Sequence, residues 1–287
     1  MPNNVSVVMD DLMEYLFCEL KSRNMPITEF RMQKLIFKIK MELGEKHELF
    51  PKLPFYWYLK GPYSDVVSRS FSDLTLNCIS IKDSFLFKDD LFGINSFIIS
   101  DFPEIEEISK KILSDKDFFY NHLDKEIYRE YEPYPFMHIY KYEIYDIAKN
   151  SLPLEKLNSN DYVDKFFDCE GKLPHERYFG EFSTLFSRLT TNVDLINEAG
   201  NFNEYWNLLR PPIIALWETF ASGVRVKFRD DYYGNCVNFW DDEFKLNLKY
   251  LTELVNKTEC LIALKDYSKQ EYSPDELKLL KLTRKYL

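Results

Sequence analysis

Apolar residues recur at the three- and four-residue spacing of an amphipathic helix through most of this chain. In the first third, this spacing predicts helices over residues 5–21, 28–43 and 65–76. Thr28 is a typical N-cap residue for the second helix, and Gly44 is a typical residue just beyond its end.

Strand patterns are short and confined to the same third of the chain. The aromatic run Phe55–Leu59 is typical of a strand, which the following Gly61-Pro62 pair should end. Two further strand-like runs lie near residues 79–87 and 91–99. Helix–helix–strand–helix–strand–strand is the outline of a winged-helix type domain, and we expect it to occupy residues 1–102.

Residues 103–287 predict a larger, helical second domain, so the fold class is α+β and mostly helical. Its polar stretch 151–178 contains Pro153 and Pro174, which indicates a linker or long loop. The helices predicted by apolar spacing cover 103–114, 116–130, 136–149 and 180–197, and a long one is expected to be capped by Asp241.

Three further patterns of the second domain concern proline and alternation. Pro211-Pro212 should kink or split a helix over residues 202–222. Val224, Val226 and Phe228 alternate with polar residues, as in a short strand. The segment Ser273-Pro274-Asp275-Glu276 is a capping box with proline at the first helical position, so a last helix should begin there.

Composition excludes several classes of protein. Only 8 of 287 residues are glycine, which argues against nucleotide folds built on glycine loops, and the net charge of −10 argues against nonspecific nucleic-acid binding by the whole surface. The five cysteines include no C-x-x-C pair, and we find no signal peptide or membrane-length apolar run. We therefore expect a cytoplasmic protein with free thiols and no metal, cofactor or membrane contact.

Positive charge is concentrated in residues 21–69, which hold 10 basic and 5 acidic side chains. Arg31, Lys34 and Lys38 lie at i, i+3 and i+7, and form what we call the basic stripe. This stripe could contact phosphates or an acidic protein surface. An ordinary solvated helix face, with Lys38 paired to Glu42, is the favoured alternative.

The Gly61-Pro62 turn leads into a helix whose N-terminus carries Ser64 and Asp65. Backbone N–H groups there favour an anion or a partner contact, which Lys60 and Tyr63 would frame. Because Asp65 would repel a phosphate, we favour a helix cap that Ser64 and Asp65 satisfy themselves.

Two nearby stretches, Gln33-Lys34-Leu35 and Gly61-Pro62-Tyr63-Ser64, resemble in order and spacing the motifs of the Panacea antitoxin domain. That domain is typified by the SocA-like antitoxins and is related to winged-helix-like proteins of the YwgA type. The resemblance covers about residues 5–100. It departs from the pattern at Lys60, which shifts the usual Tyr-Gly-Pro contact. It implies a non-catalytic module that neutralises a toxin or adapts it to another protein.

The expected function is therefore protein–protein recognition, as an antitoxin or regulator of a toxin–antitoxin or defence pair, with a cognate toxin as the candidate partner. The expected contact residues are Arg31, Gln33, Lys34, Lys38, Lys60, Gly61, Pro62, Tyr63 and Ser64, with no catalytic residue. The alternative is a winged-helix DNA-binding regulator, although the helix after the turn offers only Arg69 against two aspartates. A second alternative is a metal-dependent nuclease, with Asp230-Asp231 and Asp241-Asp242-Glu243 as ligands.

Overall fold

The computed structural model describes residues 4–76, 78–81, 84–87, 97–150 and 158–269, and this part of the protein is mostly helical. The helices are α1 (Val5–Ser22), α2 (Glu29–Leu43), α3 (Asp65–Thr75), α4 (Phe97–Asp101), α5 (Pro103–Ser114), α6 (Leu123–Tyr131), α7 (Met137–Ile139), α8 (Asp146–Asn150), α9 (Ser159–Glu170), α10 (Gly180–Glu198), α11 (Phe202–Lys227) and α12 (Val237–Lys269). The strands are β1 (Tyr56–Tyr58), β2 (Gly61–Tyr63), β3 (Cys78–Ile81) and β4 (Ser84–Phe87). Short π-helical segments lie at Phe118–His122 and Tyr140–Tyr145.

The helices predicted in the first third are confirmed, together with their caps. The Thr28 hydroxyl accepts the Arg31 N–H at 3.2 Å at the start of α2, and Gly44 follows its end with φ of +80°. Ser64 caps α3 by accepting the Val67 N–H at 3.4 Å. Short polar side chains do this because they can replace the missing helical acceptor.

The strands of this region differ from the prediction. Gly61-Pro62 does not end the sheet. It belongs to β2, which turns back and pairs antiparallel with β1, so that Tyr56 faces Tyr63 and Tyr58 faces Gly61. We call β1, the two-residue turn and β2 the Gly-Pro hairpin. The predicted 79–87 strand is a second hairpin, β3 with β4. Of the predicted 91–99 strand, residues 97–99 are helical and the rest lies outside the described residues.

The predicted linker 151–178 contains helix α9, so that prediction is wrong for residues 159–170. Four of its apolar side chains are buried because they share one face, although charged residues lie between them along the chain. These side chains are Tyr162, Val163, Phe166 and Cys169. Residues 151–157 lie outside the described part.

Helix α11 is not split at Pro211-Pro212, and it continues to Lys227 where a strand was expected. The alternation of Val224 and Val226 has a different cause. Val224 belongs to the main core, whereas Val226 joins a small second cluster with Tyr56, Tyr233 and Trp240, so both faces of this helix end are covered.

Helix α12 begins at Val237, and Asp241 therefore lies inside it instead of capping it. There Asp241 accepts a hydrogen bond from the Tyr178 hydroxyl at 3.0 Å and pairs with Lys245 at 2.7 Å. The last helix predicted at Ser273 lies outside the described residues.

One hydrophobic core runs from α1 to α12 across the boundary expected at residue 102. Aromatic rings bridge the two sides of that boundary: the centroid of Trp57 lies 5.3 Å from that of Tyr128, which lies 6.5 Å from that of Trp217. The division into two domains and the winged-helix assignment stay predictions. Among the described helices, none is long and apolar enough to cross a membrane.

Candidate functional site

Gln33 on α2 joins the two stretches that carry the sequence resemblance. Its side-chain nitrogen donates to the Ser64 carbonyl, and its side-chain oxygen accepts the Ser64 N–H, both at 2.9 Å. The amide thus pairs with the end of the Gly-Pro hairpin as a neighbouring strand would. Both residues are buried, so each bond protects a backbone group that has no access to water.

Ser64 and Asp65 form a helix N-terminus that is satisfied from within the protein. The Ser64 hydroxyl caps α3, while the Tyr233 hydroxyl lies 3.3 Å from the Ser64 hydroxyl and accepts the Asp65 N–H at 3.1 Å. This geometry matches the self-capped alternative for Ser64, whereas Tyr233 and not Asp65 satisfies the Asp65 N–H, and these donors are engaged. Tyr233 was not singled out by the sequence, because it lies far along the chain.

Lys34 is buried beneath the same hairpin. Its ammonium donates to the Lys60 carbonyl and to the Pro62 carbonyl, and lies 3.5 Å from a carboxylate oxygen of Asp124 on α6. Burial lowers the pKa of Lys34 to about 8, although the Asp124 charge opposes this shift. The Tyr142 hydroxyl donates to the other Asp124 oxygen.

Gly61 allows this close contact. Its φ of +86° is a backbone conformation that residues with a side chain rarely adopt. A Cβ atom at this position would lie 2.7 Å from the Lys34 ammonium nitrogen and 2.9 Å from a ring carbon of Tyr128. The absence of a side chain therefore lets the hairpin backbone reach the buried lysine.

The side chains around the hairpin turn enclose a cavity of about 310 Å³, which we call the hairpin cavity. Its walls include six of the expected contact residues and four others. The lining residues are Glu29, Phe30, Gln33, Lys34, Tyr58, Leu59, Lys60, Gly61, Pro62 and Tyr63. Most of the expected contact set is thus brought together around one opening.

Helix α11 holds the hairpin turn from the other side. The Trp217 indole N–H donates to the Leu59 carbonyl at 3.0 Å. The Arg225 guanidinium lies 4.4 Å from the ring centroid of Tyr58 and pairs with Glu243 at 2.6 Å. These contacts fix one wall of the hairpin cavity to the body of the protein.

The basic stripe does not form an exposed surface, which corrects the prediction from helical spacing. Lys34 is 2% exposed and Lys38 5%. Lys38 is surrounded by Glu42, Glu126 and Glu130, whose carboxylates lie 2.6 to 3.2 Å from its ammonium. Burial disfavours its charge, but hydrogen bonds to these carboxylates outweigh that effect and raise its pKa.

Arg31 is the remaining member of the basic stripe. It packs 4.8 Å from the ring centroid of Tyr120 and donates to the carbonyl of the same residue at 3.3 Å. The π-helical segment Phe118–His122 and helix α6 therefore cover a face that the sequence of α2 alone indicates to be solvated. Arg31 and Lys38 do not line the hairpin cavity.

Asp230, one of the candidate metal ligands, serves another role. Asp230 pairs with the buried Lys40 at 2.5 Å and accepts the Phe55 N–H at 2.5 Å, which ties the end of α11 to the hairpin. In the described part of the chain, no group of three or more His, Cys, Asp or Glu residues is placed to hold a metal ion.

Comparison with known proteins gives no match: no family model, curated protein or solved structure is detectably similar to the chain.

Proposed function

We propose that the chain is a non-catalytic protein-recognition module, an antitoxin or regulator, that contacts its partner at the hairpin cavity. The observation that carries the proposal is the position of the motif residues. Gln33, Lys34 and the Gly61–Tyr63 segment meet around one small opening, whose walls are mostly apolar and aromatic. Concave apolar sites of this kind receive the anchor side chains of protein partners.

The exposure of Phe30 supports the same proposal. This aromatic residue borders the hairpin cavity and is 38% exposed, although most large apolar side chains of α2 are buried. Exposed aromatic surface beside a cavity is typical of contact sites, because its burial by a partner releases ordered water. The hairpin itself is fixed by Gln33 and Trp217, so the site needs little rearrangement to bind.

The DNA-binding alternative has less support. It required Lys34 and Lys38 at the surface, where they would neutralise phosphates, and both are buried and paired with carboxylates. Aromatic side chains can bind nucleic acid by stacking on bases, but Phe55, Tyr56 and Trp57 of the aromatic run are buried and not available for this.

Co-purification with the product of the adjacent gene tests the proposal. We expect the two proteins to elute together and the chain to relieve any toxicity of that product. Phe30→Asp should weaken the complex by about tenfold or more, since it places a charge in the apolar contact. Leu195→Asp is the matched control, because Leu195 is 55% exposed on α10 and does not border the hairpin cavity.

A chain that elutes alone beside that product and leaves its toxicity unchanged would refute the antitoxin role. Equal weakening by Phe30→Asp and Leu195→Asp would instead show that the partner does not bind at the hairpin cavity.

A further inference from the structure

The interior of the hairpin cavity is suited to an apolar group, because most of its lining is apolar or aromatic and the polar atoms of Gln33 and Lys34 are already engaged. Both polar atoms of the Gln33 amide are bonded to Ser64, and the Lys34 ammonium is held by two backbone carbonyls. Glu29 accepts the Ser68 hydroxyl at 2.6 Å. A polar side chain placed against Gln33 and Lys34 would lose water without gaining a free partner there.

The opening of the cavity carries a different chemistry. Lys60, in the hairpin turn, is exposed and forms no ion pair or side-chain hydrogen bond with any residue that the structure describes. Its backbone carbonyl holds Lys34, which fixes the position of the residue, while its ammonium is left for another molecule. A carboxylate is the natural partner of such an ammonium.

We infer that the hairpin cavity receives a large apolar side chain of a partner protein that stands beside a carboxylate, and that this carboxylate pairs with Lys60. The inference rests on the proposed function, since it names the chemistry of the partner at the same site. The apolar side chain supplies most of the affinity by leaving water. The carboxylate adds selectivity and little affinity, because a surface ion pair contributes only modestly to the free energy of binding.

Three blocked tetrapeptides test this inference, with the central pairs Phe-Asp, Phe-Asn and Ser-Asp. Their binding is followed by the amide NMR shifts of Gly61 and Tyr63 in the full chain. We expect Phe-Asp to bind about two- to fivefold more tightly than Phe-Asn, which is the range of an exposed ion pair. Ser-Asp should bind more than about tenfold more weakly than Phe-Asp, because it buries no large apolar group.

Charge reversal provides the control. Lys60→Glu should make Phe-Asn bind more tightly than Phe-Asp, and it retains the backbone carbonyl that Lys34 needs. Lys46→Glu changes the net charge by the same amount at another exposed lysine and should leave the order of the peptides unchanged.

The outcomes separate the two proposals. Equal binding of Phe-Asp and Phe-Asn would overturn the role of Lys60 and leave the hairpin cavity as an apolar contact site. If none of the three peptides shifts these resonances, the hairpin cavity is not the contact site, and both proposals are wrong about where the partner binds.

Discussion

Replacing Gly61 with alanine tests the close approach on which the site geometry depends. The added methyl group would lie 2.7 Å from the Lys34 nitrogen and 2.9 Å from a Tyr128 ring carbon. The lysine end could move, although it would then lose its carbonyl acceptors. The Tyr128 ring cannot move easily, since it is fully buried and packs edge-on against Trp57 and Tyr142.

The expected cost of Gly61→Ala has two parts. A left-handed backbone costs an alanine about 1–2 kcal/mol relative to glycine. Overpacking against a ring that cannot move costs about 1–3 kcal/mol more. We therefore expect the free energy of unfolding to fall by about 2–5 kcal/mol.

Gly200→Ala is the matched control for this prediction. Gly200 also has a positive φ, of +68°, but an added Cβ would meet no atom within 4 Å. It should lose only the backbone part, about 1–2 kcal/mol. Both variants change the unfolded chain in the same way, so that effect cancels in the comparison. Urea denaturation followed by circular dichroism measures both values, and an equal loss for the two variants would refute the packing argument.

Three further predictions concern the buried polar contacts. Between pH 8 and about 10.5 the unfolded chain holds a proton on Lys34 that the folded protein has released, so the contribution of this group to the free energy of unfolding should rise with pH by up to about 3 kcal/mol. Lys34→Met should abolish that rise. If the free energies of unfolding of the two proteins in urea follow parallel curves against pH, this prediction is contradicted. Gln33→Leu should lower the free energy of unfolding by about 2–4 kcal/mol, because it leaves the buried N–H and carbonyl of Ser64 without partners. A thermal midpoint equal to that of the wild type would be inconsistent with this. Asp230→Asn should lower the free energy of unfolding by about 2–3 kcal/mol, because it removes the charge that balances Lys40. Asp231→Asn, at the exposed neighbour, should lower it little. Similar urea midpoints for both variants would show that the pairing does not matter.

In the first third of the chain, local signals in the sequence predicted the helices and their caps well. Thr28, Ser64 and Gly44 act through atoms within a few residues, so their roles can be inferred without knowledge of the fold. The docking of Gln33 beside the Gly-Pro hairpin is different, because Gln33 and Ser64 are 31 positions apart and no local signal specifies their contact. The strand Gly61–Tyr63 was missed because Gly-Pro pairs usually end a strand.

Long-range contacts account for what the sequence could not predict. Lys34 and Lys38 of the basic stripe are buried because α6 supplies Asp124, Glu126 and Glu130, and no pattern within α2 identifies those partners. The residues that fix the hairpin from behind, such as Trp217 and Tyr233, lie more than a hundred positions away along the chain.

The central claim is that the hairpin cavity contacts a partner protein, and site-specific photocrosslinking tests it most directly. A benzophenone amino acid is placed at Phe30, on the edge of the cavity, or at Leu195, an exposed site on α10. Each protein is irradiated with the purified product of the adjacent gene. We predict a covalent adduct from position 30 and none from position 195, whereas an adduct from position 195 alone would contradict the account.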